Sequence, residues 1–174
     1  MNRRLSTALT AIFALGLVTP AFGAEICGIE ATASNGGMMV QTGKFTARCI
    51  EKGKCSISLS SVDNVGIALE RASVSGSWLT LVTSTSSIDS GAGFDLLFDG
   101  EDETRIAPDF LIAAEDMKSV RVDDDVSDIV LTTMLQSKTM NATVQLVGGK
   151  RIVHEIALGN LAAATKWVDC AQAK

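Results

Sequence analysis

The chain has 174 residues, with 15 basic and 20 acidic side chains, a net charge of −5 at neutral pH, four cysteines, one histidine and no tyrosine. This balance excludes nucleic acid and an anionic membrane surface as default partners. The length is enough for one domain with a sizeable core.

The opening segment, "MNRRLSTALTAIFALGLVTPAFGA", has the three parts of a secretory signal. Arg3 and Arg4 give the positive start. Leu5 to Val18 form an apolar stretch, Pro20 ends it, and Ala21 and Gly23 offer small side chains to a signal peptidase. The stretch is too short for a comfortable membrane span. The rival reading, a lipoprotein anchored at Cys27, fails because Glu25 and Ile26 stand where a lipid-attachment site needs small residues. Residues 1–23 are therefore read as the signal and 24–174 as one disulfide-stapled β domain carrying 13 basic and 20 acidic side chains. No later segment reaches the roughly 18 apolar residues of a spanning helix, so no transmembrane segment is expected after signal removal.

All four cysteines, Cys27, Cys49, Cys55 and Cys170, lie in the exported part, and an even count there reads as two disulfides. In "FTARCIEKGKCSISL" a three-residue loop Glu51-Lys52-Gly53, with Gly53 left-handed, places Cys49 opposite Cys55 and Ala47 opposite Ile57. One face then holds Phe45, Ala47, Cys49, Cys55, Ile57 and Leu59, and the other is polar apart from Ile50. Directly opposed strand residues are close enough for a disulfide. A zinc site would need three or four cysteines together, given one histidine, and a Cys-x-x-Cys redox motif is absent. The remaining pair, Cys27 and Cys170, would join the two ends of the domain.

Short strands and turns follow. "GIALERASV" and "SWLTLVTST" are two strands, and "GFDLLFDG" alternates Phe94, Leu96 and Phe98 against Asp95 and Leu97 before turning at Asp99-Gly100. "DFLIAAEDMKSV" fits a strand or a short helix. "DDDVSDIVLTTMLQSKTM" predicts a helix capped by Asp124 and Asp125, with Asp128 in its first turn and Val126, Ile129, Val130 and Met134 on its apolar face. A hairpin with the loop Gly148-Gly149-Lys150 would set Leu146 opposite Ile152, Val144 opposite His154 and Ala142 opposite Ile156. Finally, "NLAAATKWVDC" is a helix capped by Asn160, with Leu161, Ala164 and Val168 as its packing stripe. The expected fold class is mainly β: an antiparallel β-sandwich or flattened barrel with one or two short helices, one of them C-terminal.

Few residues carry chemistry. His154 sits on a face expected to be buried, where a satisfied core histidine is the default. No Gly-x-Ser-x-Gly elbow and no Ser-x-x-Lys is present. Asp99 to Glu103 reads as a solvated turn and Asp123 to Asp125 as a helix cap, since neither has calcium-loop spacing. Trp78 and Trp167 are the only tryptophans, so an aromatic sugar platform or protein hot spot is poorly supplied, and Trp167 is expected in the core. Asn141-Ala142-Thr143 fits a glycosylation acceptor but falls in an expected strand. No catalytic residue, metal or cofactor is assigned.

The order of features resembles the invasion-associated locus B family of bacterial periplasmic and surface proteins. The likeness runs from the cysteine-bearing hairpin through "LLFDG" and "DIVLTTML" to a strand pair round "GG", and is closest in "HEIALGNLAAATKWV". There Ala157 and Leu158 stand for the family's Ser-Leu, Asn160 for its glycine, Leu161 for its phenylalanine, and Ala163 and Ala164 for its alanines. The family's mid-chain cysteine pair is missing, with Asp123 to Asp125 in that region, and Cys170 is extra. The resemblance implies an all-β periplasmic protein without known catalysis, linked to the envelope or host-cell invasion, and carries over no site residues. The function expected is a non-enzymatic exported protein that binds a protein or envelope component by a strand edge or sheet face. The alternative is an exported inhibitor or accessory subunit engaging an enzyme through a loop such as Val62 to Gly66. A small hydrolase working with paired carboxylates is the third possibility.

Overall fold

The computed structural model describes residues 24–34, 36–50 and 53–173. The signal-peptide reading of 1–23 lies outside the described residues, as do Glu51 and Lys52 of the first hairpin loop. Consecutive hairpins build the first part of the chain: β1 (Ala24–Ile26), β2 (Ile29–Ser34), β3 (Gly37–Thr42), β4 (Phe45–Ile50), β5 (Cys55–Val62), β6 (Val65–Arg71) and β7 (Leu79–Ser84). Then come β8 (Phe94–Phe98), β9 (Asp102–Ile106), β10 (Leu111–Ala113) and β11 (Ser119–Val122). The chain ends with α1 (Asp124–Gln136), β12 (Thr139–Gln145), β13 (Arg151–Ala157) and α2 (Leu161–Gln172). The strands form two antiparallel sheets, one of nine strands in the order β1-β2-β3-β4-β5-β6-β7-β11-β10 and one of four in the order β13-β12-β8-β9. Neither sheet closes on itself. Of the two architectures expected, the sandwich is the one formed and the flattened barrel is not.

The β4–β5 hairpin follows the alternation of its side chains. Cys49 pairs with Cys55, Arg48 with Ser56 and Ala47 with Ile57. Ile50 N–H donates to the Lys54 carbonyl at 2.9 Å, and Gly53 takes φ +81°. Phe45, Ala47, Cys55 and Ile57 are all buried, and Ile50 is exposed. Cys49 and Cys55 are bonded, with Cα atoms 4.1 Å apart. The second disulfide joins Cys27 to Cys170 on α2, with Cα atoms 6.1 Å apart.

The core lies between the inner faces. Phe45, Ile57 and Leu69 come from the larger sheet, and Phe94, Leu96, Phe98, Met140 and Ile152 from the smaller. In α2, Leu161, Ala164, Trp167 and Val168 are buried, and the helix packs on β3, β4 and β5. Asn160 stands at the N-cap position, but its side chain makes no capping hydrogen bond. Its amide lies instead over Gly43, where an added Cβ would come within 2.3 Å of Nδ2.

Three details depart from expectation. The cap of α1 is Asp123, whose carboxylate accepts from Asp125 N–H at 3.2 Å, and Asp124 and Asp125 occupy the first turn. The buried face of α1 holds Ser127, Val130, Leu131 and Met134, while Ile129 is 65% exposed. Ser127 is turned inward because its hydroxyl donates to the Val122 carbonyl and accepts from Thr80 N–H, which rotates the apolar stripe by one position. In the last hairpin Val144 pairs with Ile152, Ala142 with His154 and Met140 with Ile156, two residues from the expected register. The loop is Val147-Gly148-Gly149, both glycines have positive φ, and Leu146 N–H donates to the Lys150 carbonyl at 2.8 Å. The left-handed position that closes the loop thus falls on Gly149 rather than Lys150, which spares a side chain the strain. An even shift preserves which residues face inward. The segment Pro108 to Val122 resolves into both expected forms: a short 3₁₀ turn at Pro108–Phe110, then β10 and β11.

Candidate functional site

His154 is fully buried on β13. Its Nδ1 lies 3.0 Å from the hydroxyl of Ser60, and its Nε2 is buried without a hydrogen-bond partner. Ser60 reaches it because β5 shifts register between Ser58 and Ser60, and such a bulge re-aims the following side chain. The structure thus brings a hydroxyl to the histidine, a neighbour the sequence did not reveal. It does not make a nucleophilic pair. Burial pushes the histidine pKa below its usual range, which weakens it as a base, and no carboxylate is bonded to its second nitrogen. The contact closes the seam where β13 packs on β5.

The acidic runs are spread apart. Asp99, with φ +50°, opens the turn after β8, and its Oδ1 accepts from the backbone N–H groups of Thr139 (2.8 Å) and Lys138 (2.9 Å). The hydrogen bond from Thr139 N–H is the main cause of its lowered pKa. Asp99 therefore pins the β8–β9 turn to the start of β12. Among the described residues no group of three or more His, Cys, Asp or Glu is placed to hold a metal ion. Asn141, in the glycosylation triplet, sits half-buried in β12.

The strongest constellation lies on the outer face of the four-stranded sheet. Asp95 on β8 is opposite Arg105 on β9 and opposite Thr143 on β12, and Arg151 on β13 is opposite Gln145. Alternation sends all of these outward. Asp95 Oδ1 accepts from Arg105 Nη1 at 2.6 Å, and its Oδ2 from Arg151 Nη2 at 3.1 Å. Arg105 Nη2 also donates to the Ala92 carbonyl at 2.6 Å, and Gln145 Nε2 donates to Asp89 at 3.1 Å. Gly93, with φ +73°, lets the chain pass under Arg105, for an added Cβ would meet the Ile106 carbonyl at 2.6 Å. The arginine side chains remain 58% and 60% exposed, while Asp95 is 28% exposed.

These residues line two adjoining depressions of about 200 and about 320 Å³ that share Asp95, Thr143 and Arg151. The first is walled by Ala92 and Gly93, and the second runs on over Leu97, Asn141, Glu103 and Val153. The groove contains fixed donors and acceptors, with no nucleophile activated by a neighbouring base. Chemically it can bind. Sequence reading missed it because the β8–β9 loop has three residues, Asp99-Gly100-Glu101, not the two of an Asp-Gly turn. Only that count sets Arg105 opposite Asp95.

A second polar cluster is structural. Arg71 is buried at the end of β6, with Nε on Gln172 Oε1 at 2.7 Å, Nη2 on Asp169 at 2.6 Å, and its guanidinium 4.7 Å from the Trp78 ring centre. Gln172 in turn donates to the carbonyls of Gly53 and Arg71. No described helix is long and apolar enough to cross a membrane. Comparison of the chain with family models, curated proteins and solved structures finds no match.

Proposed function

We propose that this chain is a non-enzymatic exported envelope protein, periplasmic or secreted, that binds a partner through the outer face of its four-stranded sheet, in the manner expected of an invasion-associated locus B-like protein. The Arg105–Asp95–Arg151 constellation carries this reading: exposed arginines held in place in a groove are a recognition device. Two disulfides support an oxidising compartment. The test is capture of envelope components by the chain from residue 24 onward, alongside the double variant Arg105→Gln, Arg151→Gln. Components retained by the unaltered chain and lost by the variant support the reading, and equal retention by both refutes it.

The loop-borne inhibitor is the second reading, favoured by one contact. Lys150 Nζ pairs with Asp63 at 2.9 Å, which ties the Asp63-Asn64 turn to the tip of the last hairpin. Val62 and Val147 are exposed there at 37% and 58%. Under this reading Val147→Asp abolishes capture and the arginine variant does not.

A further inference from the structure

We infer that the groove on the four-stranded sheet takes a sugar bearing one carboxylate, with Arg151 and Arg105 receiving the carboxylate and Thr143 and Asn141 meeting the hydroxyls. The inference rests on the binding reading above and names the chemistry of its ligand.

Both arginines are anchored by one carboxylate, so their direction is set before any ligand arrives and little side-chain freedom remains to be lost. Each guanidinium has five N–H donors in a fixed fork that fits a carboxylate. Arg151 uses one donor on Asp95, and Arg105 uses one on Asp95 and one on Ala92. Two guanidiniums share the Asp95 carboxylate, with Asp89 held by Gln145 beyond them, so this end of the groove offers spare N–H donors to an anion. The other end offers a carboxylate. Glu103 stands two residues from Arg105 along β9, about 7 Å away. A ligand with a second carboxylate there would be repelled, so the anion belongs at one end only.

The floor favours a sugar over a peptide. It is a sheet face, where backbone groups are used in the ladders, so a ligand meets side-chain amides and hydroxyls alone. Extended peptides are held mainly by main-chain bonds at a free sheet edge. Hydroxyl groups instead match Asn141 and Thr143, whose amide and hydroxyl both donate and accept. Leu97 and Val153 line the same depression and give an apolar patch for the ring face. At about 320 Å³ the larger depression accommodates a monosaccharide.

The experiment is titration of the ¹⁵N-labelled chain, residues 24–174, followed by its amide and arginine side-chain signals. The probes are glucuronate, glucose, acetate and N-acetyl-alanyl-alanine. The expected result is saturable shifts at Asn141, Thr143 and Arg151 with glucuronate, and affinity at least about tenfold above that for glucose or acetate. Arg151→Gln lowers glucuronate affinity by about tenfold, Arg151→Lys fails to restore it, and amide signals of the core strands stay in place. Acetate binding as tightly as glucuronate would mean an adventitious ion only and overturn the inference. Tighter binding of the peptide would replace the sugar by a peptide terminus, and an absence of shifts in the groove would remove the site. If glucuronate fails while the arginine variant still loses envelope components, the ligand chemistry is wrong and the binding face stands. Retention of capture by that variant defeats the earlier reading instead.

Discussion

Replacing Arg71 by methionine tests what holds the end of α2 against the sheet. Methionine keeps most of the apolar stem and removes the guanidinium. Three losses follow. The Gln172 side-chain oxygen Oε1, part-buried, loses its charged donor at 2.7 Å, which costs about 1–3 kcal/mol. The contact over Trp78 at 4.7 Å is worth about 1 kcal/mol. The ion pair with Asp169 adds less than about 1 kcal/mol, because the Asp169 side chain is 59% exposed and screened by solvent. Against these stands the relief of burying a charge, for Arg71 is only 7% exposed. The net expectation is a loss of about 3 kcal/mol, with Asp169→Asn costing well under about 1 kcal/mol. Urea unfolding followed by tryptophan fluorescence reads both, since Trp78 and Trp167 are the only tryptophans. Equal losses for the two variants, or a loss below about 1 kcal/mol for Arg71→Met, would refute the view that the inner contacts with Gln172 and Trp78 dominate.

The disulfides rank by the chain they close. Loop-closure entropy assigns about 5 kcal/mol to Cys27–Cys170, with a separation of 143 residues, and about 2 kcal/mol to Cys49–Cys55, with a separation of 6. Alanine replacement of each pair, measured in urea, should preserve that order. His154 sets a pH dependence. Its folded pKa is depressed by burial, so its contribution is present above the unfolded value near 6.5 and is lost as pH falls below it, by up to about 1.4 kcal/mol per unit. His154→Gln should destabilise at pH 7.5 more than at pH 5.5 and leave binding unchanged. A constant difference between the two pH values would contradict a neutral buried imidazole. Thr80 Oγ1 is buried without a partner, beside an apolar void of about 20 Å³. Thr80→Val should therefore raise stability by about 1 kcal/mol, and thermal unfolding that falls instead would show the hydroxyl to be satisfied.

Patterns of period two were legible because burial of one strand face leaves its record in every second residue. The Phe45 to Leu59 hairpin, the alternation of Phe94, Leu96 and Phe98, and the inward placing of His154 all follow from that rule. The α2 stripe was legible for the same reason at helical spacing. Distant pairing was not. The α1 face turned because Ser127 found partners on Thr80 and Val122, which are remote in the chain. Nothing in the local sequence marks Arg71 as a core group; Trp78 and the α2 residues Asp169 and Gln172 enclose it.

By itself, the sequence determined the class of fold, the two helices and the inward faces of the strands and of α2, since these depend on the order of apolar and polar residues along short stretches. Tertiary structure decided which strands beyond the local hairpins became neighbours, and with them the groove. Asp95, Arg105 and Arg151 come from three strands, and their meeting depends on loop lengths of three residues and on β12 lying between β8 and β13. No local preference encodes that placement. It arises because both sheets bury their apolar faces against each other and leave these three charged side chains together on the opposite side.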